Sequence, residues 1–107
     1  MSDRPFFYKL VGHEPVPITI QEYFAFQEAM VLGTAYHHVA FDQVGEVTVS
    51  TIFLGLATNL SGPPLVFETM ILGGAHDLYQ RRTATWAEAE AEHAVALRVA
   101  GLAPPTD

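Results

Sequence analysis

Val47-Thr48-Val49-Ser50-Thr51-Ile52-Phe53-Leu54 and, after a loop, Leu65-Val66-Phe67-Glu68-Thr69-Met70-Ile71-Leu72 decide the fold. Both runs are rich in β-branched and aromatic residues, which suit a pleated, half-buried surface. The second is apolar on both faces except at Glu68 and Thr69, the pattern of a central strand covered on both sides. Upstream, residues Tyr36 to Val44 read as a strand that meets the first run at Val44-Gly45-Glu46. Downstream, Gly73-Gly74-Ala75-His76-Asp77 turns the chain, and Leu78 to Thr83 returns as a further strand. The middle of the chain is therefore a β-meander.

Register follows from which residues must share a face. A two-residue loop pairs Phe41 with Thr48 and Val39 with Ser50. A three-residue loop pairs Phe41 with Val49, Val39 with Thr51 and His37 with Phe53. The second choice gives one coherent apolar face, which a sheet with a buried side requires. It is the expected register, and it places His38, Asp42, Thr48 and Ser50 together on the opposite face.

Working outward, Phe6 to Val11 reads as a strand, Gly12 to Pro15 as a turn and Val16-Pro17-Ile18 as a short return strand whose prolines confine it to an edge. Thr19-Ile20-Gln21-Glu22 matches a capping box, and a helix should follow to about Val31 with Ile20, Tyr23, Phe24, Met30 and Val31 as its apolar stripe and Gly33 as its stop. Thr85-Trp86-Ala87-Glu88 is a second capping box, opening a helix rich in Ala and Glu that runs to about Ala100 and is ended by Gly101 and Pro104-Pro105. The expected fold is α+β: an antiparallel sheet of four to five strands with two helices packed on it, in the order β-(β)-α-β-β-β-β-α. Residues 1–107 form one domain, with 102–107 a loose tail. Trp86, Phe24, Phe41, Phe53 and Phe67 are the expected core.

The chain has 107 residues, half of them hydrophobic, and no cysteine. That length buries roughly two-thirds of the unfolded surface. The missing thiols exclude a disulfide scaffold, a thiolate zinc site and a cysteine nucleophile. The formal charge is −7, with 12 acidic and 5 basic residues and one basic cluster, Arg81-Arg82. Nucleic-acid binding neutralises phosphates with Lys and Arg, so it is not expected here. No run approaches the roughly 20 apolar residues that span a bilayer, and the N-terminal residues lack the apolar core of a signal peptide. No membrane association is expected, and the cytoplasm is the expected location.

Several groups are candidates for chemistry. His38, Asp42 and Ser50 on one face invite comparison with a Ser-His-Asp triad, but a mid-strand serine lacks the sharp turn or oxyanion donors such a nucleophile needs. An ordinary polar sheet face accounts for them more simply. Adjacent His37 and His38 point to opposite faces of a strand and cannot share an ion without a bulge. His93 lies seven residues after Trp86 on the same helical stripe, where a core histidine bonded to backbone or a carboxylate is the plainer account. No metal or other cofactor is expected. Glu68, a carboxylate within an apolar strand, needs a partner, and Arg81 or Arg82 on the next strand supplies one. It fits a cross-strand ion pair better than a carboxylate lining a pocket. The loop Thr58-Asn59-Leu60-Ser61-Gly62-Pro63-Pro64 fits a binding loop, and fits at least as well a solvated connection stiffened by Pro63-Pro64.

Val49-Ser50-Thr51-Ile52-Phe53-Leu54-Gly55-Leu56, Gly62-Pro63-Pro64-Leu65-Val66-Phe67-Glu68-Thr69-Met70-Ile71, Arg81, Thr85 and the alanine-rich helix through His93 together resemble a group of small hypothetical proteins of tailed phages, prophages and bacteria. The resemblance covers about residues 45–95 and implies a phage or mobile-element setting without implying a reaction. Ala57-Thr58 stand where the group often carries an acidic residue and a histidine, and Arg81-Arg82 where it often has Arg-Tyr. The function expected first is a non-enzymatic binding module for a host or phage protein, whose acidic surface suits a basic partner. A protein that sequesters or hydrolyses a small ligand is the second expectation, and a self-assembling homo-oligomer the third.

Overall fold

The structure is a computed structural model and describes residues 6–31 and 38–102. Its elements are β1 (Phe7–Val11), β2 (Glu14–Ile18), α1 (Ile20–Val31), β3 (His38–Val44), β4 (Val47–Phe53), β5 (Phe67–Leu72), β6 (Gln80–Thr83) and α2 (Trp86–Val99). They form the expected α+β order, with the strands divided between an antiparallel hairpin β1-β2 and an antiparallel four-stranded meander β3-β4-β5-β6. The first residues expected in the third strand, Tyr36 and His37, lie outside the described residues. So do Gly33 and residues 103–107, the stop expected for α1 and most of the expected tail.

Both capping boxes close. Thr19 Oγ1 accepts from the Glu22 amide and Glu22 Oε1 from the Thr19 amide, each at 3.1 Å. Thr85 and Glu88 repeat the exchange at the start of α2. At the other end of α2, Gly101 adopts φ 75°, its amide reaches Arg98 O, and the Leu102 amide reaches Leu97 O at 2.8 Å. These two bonds are the Schellman arrangement that satisfies the last carbonyls of a helix, and its left-handed position favours glycine.

Burial in the meander alternates residue by residue. Val49, Thr51 and Phe53 on β4 and Phe67, Thr69 and Ile71 on β5 are buried, while the residues between them within each strand are half-buried. The helix α2 lies across this buried face, presenting Ala89, His93 and Ala96 to it. Two clusters fill the interface. Phe53, Phe67, Val66, Ala57, Tyr8 and Ala89 pack near the N-terminus of α2, and Val49, Ile71 and Ala96 pack near its C-terminus. The hairpin β1-β2 joins the end of β4, where Tyr8 N donates to Gly55 O and Ala57 N to Phe6 O, both at 2.9 Å. The turn residue His13 stacks on Trp86 with ring centroids 3.7 Å apart. α1 packs on β1 and reaches the core through Phe26, edge-on to Phe53.

Three expectations are corrected. β5 is central, as read, but it is covered on one face only: Glu68 and Met70 are half-buried and Leu72 is exposed. Phe24 and Phe41, expected in the core, are 63% and 54% exposed. Phe24 sits on the side of α1 away from Phe26, so the helix buries the stripe through Tyr23 and Phe26. The register also differs. The turn is Gly45-Glu46 with Val44 opposite Val47, which sets Phe41 against Ser50, Asp42 against Val49 and Ala40 against Thr51. A bulge between His38 and Ala40 then brings His38 opposite Ile52. One extra residue on a bulged strand shifts the faces of everything beyond it. The two-residue turn thus puts Asp42 on the helix-covered face and Thr48 and Ser50 on the open one, and the bulge puts His38 on the open face as well.

Candidate functional site

The register puts a polar chain across the helix–sheet interface. His93 Nε2 lies 2.8 Å from Asp42 Oδ2, His93 Nδ1 lies 2.7 Å from Thr51 Oγ1, and Thr51 Oγ1 lies 2.7 Å from Thr69 Oγ1. Thr51, Thr69 and His93 are all under 5% exposed, and Asp42 reaches solvent at the sheet edge. A carboxylate can only accept, so Nε2 carries a proton and donates to Asp42. In the neutral imidazole, Nδ1 then accepts from the Thr51 hydroxyl, which accepts in turn from Thr69. When the ring is protonated, Nδ1–H donates to Thr51 and the Thr51 proton rotates toward Thr69. Both states leave every member bonded, as buried polar groups require.

The order carboxylate, imidazole, hydroxyl is that of an acyl-transfer triad. The hydroxyl here is sealed: Thr51 is 0% exposed, lies mid-strand, and bonds on both sides. A nucleophile must reach a substrate carbonyl, and Thr51 has no opening toward one. The chain acts as a tie joining α2 to β3, β4 and β5.

Among the described residues, nothing covers the other face of the meander. Its middle holds Ser50 and Ile52 on β4 and Glu68 and Met70 on β5, flanked by Phe41 on one side and Gln80 and Arg82 on the other. Glu68 meets Arg82 directly across the strands, with Arg82 Nε 3.2 Å from Oε2, and Gln80 Nε2 donates to the same oxygen. Arg82, rather than Arg81, is thus the partner that the buried position of Glu68 called for. Arg81 falls on the helix face, lies over the Tyr79 ring at 4.8 Å, and donates to Gln80 O. His38 contacts the Phe41 ring edge-on.

Asn59 organises its own loop. Its Nδ2 donates to Ser61 O at 3.0 Å and Pro63 O at 2.8 Å, and its Oδ1 accepts from Leu65 N at 3.1 Å. All of its side-chain polar groups face inward on the loop. Between α2 and β6 runs a shallow groove of about 430 Å³, lined by Leu65, Arg82, Thr83, Glu88, Glu92 and Val95 among others. Its charges are engaged within the chain: Glu88 caps α2, Arg82 pairs with Glu68, and Glu92 Oε2 accepts from Tyr79 OH at 2.7 Å. The Thr83 hydroxyl is buried without a partner among the described residues. Burial pushes the Tyr79 phenol above its ordinary pKa, and the bond and charge of Glu92 push it the same way. Hydrogen bonds from Thr19 hold the Glu22 carboxyl below its ordinary value.

The residues singled out from sequence thus separate into four places. Glu68, Arg82, Ser50 and His38 share the open face, Asp42 belongs to the buried chain, Arg81 covers Tyr79, and Asn59 shapes its loop. Thr51 and Thr69 are not reached from the sequence; of the two partners expected for His93, backbone or a carboxylate, the structure shows a carboxylate, Asp42. The legible signal was polar side chains at inward positions of two adjacent strands and on the inward stripe of α2. Among the described residues, no group of three His, Asp or Glu could hold a metal, and no helix is long and apolar enough to cross a membrane.

The fold and site define a two-layer α+β protein with one sheet face closed by a helix and pinned by a buried polar chain, and the other face open. No protein family, curated protein or solved structure matches the chain.

Proposed function

We propose that this protein is a non-enzymatic interaction module that engages another protein through the open side of its meander. The carrying observation is the one-sided covering of the sheet. Helix α2 closes one face, and among the described residues no element packs over Phe41, Ser50, Ile52, Met70 and Leu72. Apolar surface gathered on one face and rimmed by charge is what contact surfaces present. Arg82 and Glu68 supply such a rim. The chain's charge of −7 favours a basic partner. The resemblance to phage and prophage proteins supports a host or phage protein as that partner, met in the cytoplasm.

Affinity capture from a bacterial lysate, comparing the wild type with Leu72→Glu, tests this reading. Leu72 is 41% exposed at the end of β5, so the substitution alters the face and leaves the core intact. A polypeptide held by the wild type and lost from Leu72→Glu is the expected result. No retained protein, or retention equal in both, defeats the proposal. A second reading, a small-ligand protein, rests on the groove beside α2 with its unpartnered Thr83 hydroxyl. Mass spectrometry of small molecules released from the purified wild-type protein tests it, and Thr83→Val should abolish their retention.

A further inference from the structure

We infer that the partner docks by adding a strand to the free edge of β3, and that the added segment alternates basic and apolar residues. This rests on the interaction reading above and specifies its mode.

The chain's sheet edges are not alike. An edge strand exposes backbone donors and acceptors that will pair with any extended chain, and proteins guard such edges with prolines, charges or short length. β2 carries Pro15 and Pro17. The outer side of β1 is bonded to Gly55 and Ala57. β6 has four residues, two of them arginines. β3, by contrast, has seven residues and no proline, and its one charged residue is Asp42, which repels acidic segments and not basic ones. Its bulge lies at the start, between His38 and Ala40, and from Ala40 to Val44 the pairing with β4 is regular. Among the described residues, no strand pairs with the other side of Ala40 to Val44.

The side chains of β3 select the incoming strand. On the open face stands Phe41, 54% exposed. On the helix face stands Asp42, half-exposed, with Oδ2 held by His93. Its second oxygen, Oδ1, has no partner among the described residues. A carboxylate fixed in position through one oxygen and open at the other is a prepared acceptor for a lysine or arginine. Glu46, exposed in the adjacent turn, adds a second negative charge at the same end. Side chains directly opposite on neighbouring strands interact, and opposite charges are favourable there. A strand beside β3 therefore places a basic residue next to Asp42 on one face and an apolar residue next to Phe41 on the other. Backbone pairing with side-chain pockets alternating between faces is strand addition as other edge-binding domains use it. A second copy of this acidic chain brings Asp42 and Glu46 of both copies to the same seam, so charge favours a basic partner segment instead.

The probe is a synthetic peptide alternating lysine with valine and long enough to span β3, with a glutamate–valine peptide as its counterpart. Hydrogen exchange and titration are read on the wild type, Phe41→Lys and Glu90→Gln. Phe41→Lys guards the edge with a lysine. Glu90→Gln makes the same change in net charge on the exposed side of α2. The lysine–valine peptide should slow exchange of amides in Ala40 to Val44 and lose about tenfold or more in affinity for Phe41→Lys, while Glu90→Gln changes it by less than about twofold. The glutamate–valine peptide should not bind. Equal losses in both variants, protection away from β3, or a free protein already dimeric with β3 amides protected each overturn the inference. Lysate capture that depends on Leu72 but survives Phe41→Lys overturns the edge mode and leaves the interaction reading standing. Absence of any capture by the wild type fails the interaction reading itself.

Discussion

Replacing Thr51 with valine removes one oxygen from the middle of the chain Asp42–His93–Thr51–Thr69 and keeps the shape of the side chain. Two groups then lose their partner at once. Among the described residues, His93 Nδ1 bonds only to Thr51, and Thr69 Oγ1 does the same. Both sit under 5% exposed, where water does not replace the bond. A buried polar group left unpaired costs about 1–3 kcal/mol, so with two orphaned Thr51→Val should cost about 2–6 kcal/mol in total. Thr69→Val removes the end of the chain instead. Thr51 keeps its bond to His93, nothing is orphaned, and the cost should be about 1 kcal/mol. The double variant is the deciding one. Once Thr51 is valine, changing Thr69 to valine removes an orphaned hydroxyl, so the second substitution should restore about 1 kcal/mol rather than add to the loss. Urea unfolding of the four proteins, followed through the single tryptophan, Trp86, measures the cycle, with unchanged slopes marking unchanged native and denatured states. Losses that simply add, or a larger loss for Thr69→Val than for Thr51→Val, would refute the continuous chain.

Three further predictions concern other parts of the fold. Gly73→Ala should lose about 2 kcal/mol or more, because position 73 has φ 83° and an added Cβ would overlap the Glu46 carbonyl; Gly45→Ala, with open space around it, should lose less, and thermal unfolding ranks the two. The raised pKa of Tyr79 gives stability that is fully present below its ordinary value of 10.0 and lost as pH climbs toward the higher folded value, so unfolding at graded alkaline pH should show a slope that Tyr79→Phe removes. Glu68→Ala should cost about 1 kcal/mol and Arg82→Ala less, since Gln80 still holds the carboxylate when the half-exposed arginine is gone; urea midpoints compare them.

Element types were readable because they rest on local chemistry. Thr19 with Glu22 and Thr85 with Glu88 fix where the helices begin, and Gly101 fixes where α2 ends. The strands were readable from their β-branched and aromatic runs. What local chemistry does not carry is how many layers a sheet receives. Met70 and Leu72 make β5 look buried on both sides, but among the described residues α2 is the helix that packs along the meander, and it covers one face. The stripe of α1 failed for a related reason. Helical spacing permits burial of either Phe24 or Phe26, and packing on β1 and Phe53 selects Phe26.

The candidate site turned on a single residue of register. With the turn at Gly45-Glu46, Asp42 moves from the face of Ser50 to the face of Val49, where α2 supplies His93. The bulge after His38 leaves that histidine on the open face, so the grouping of His38, Asp42 and Ser50 is divided between two faces. The sequence nevertheless held a constraint that selects this register. Thr51 and Thr69 are polar at inward positions of central strands, and His93 is polar on the inward stripe of α2. Three buried polar groups must find partners. They can do so with one another, and the imidazole nitrogen that remains then requires an acceptor at the strand beside β4. Asp42 on the inward face meets that requirement; in the expected register the inward neighbour was Phe41, which cannot accept. Satisfying buried polar groups therefore discriminates between registers that hydrophobic patterning alone ranked wrongly.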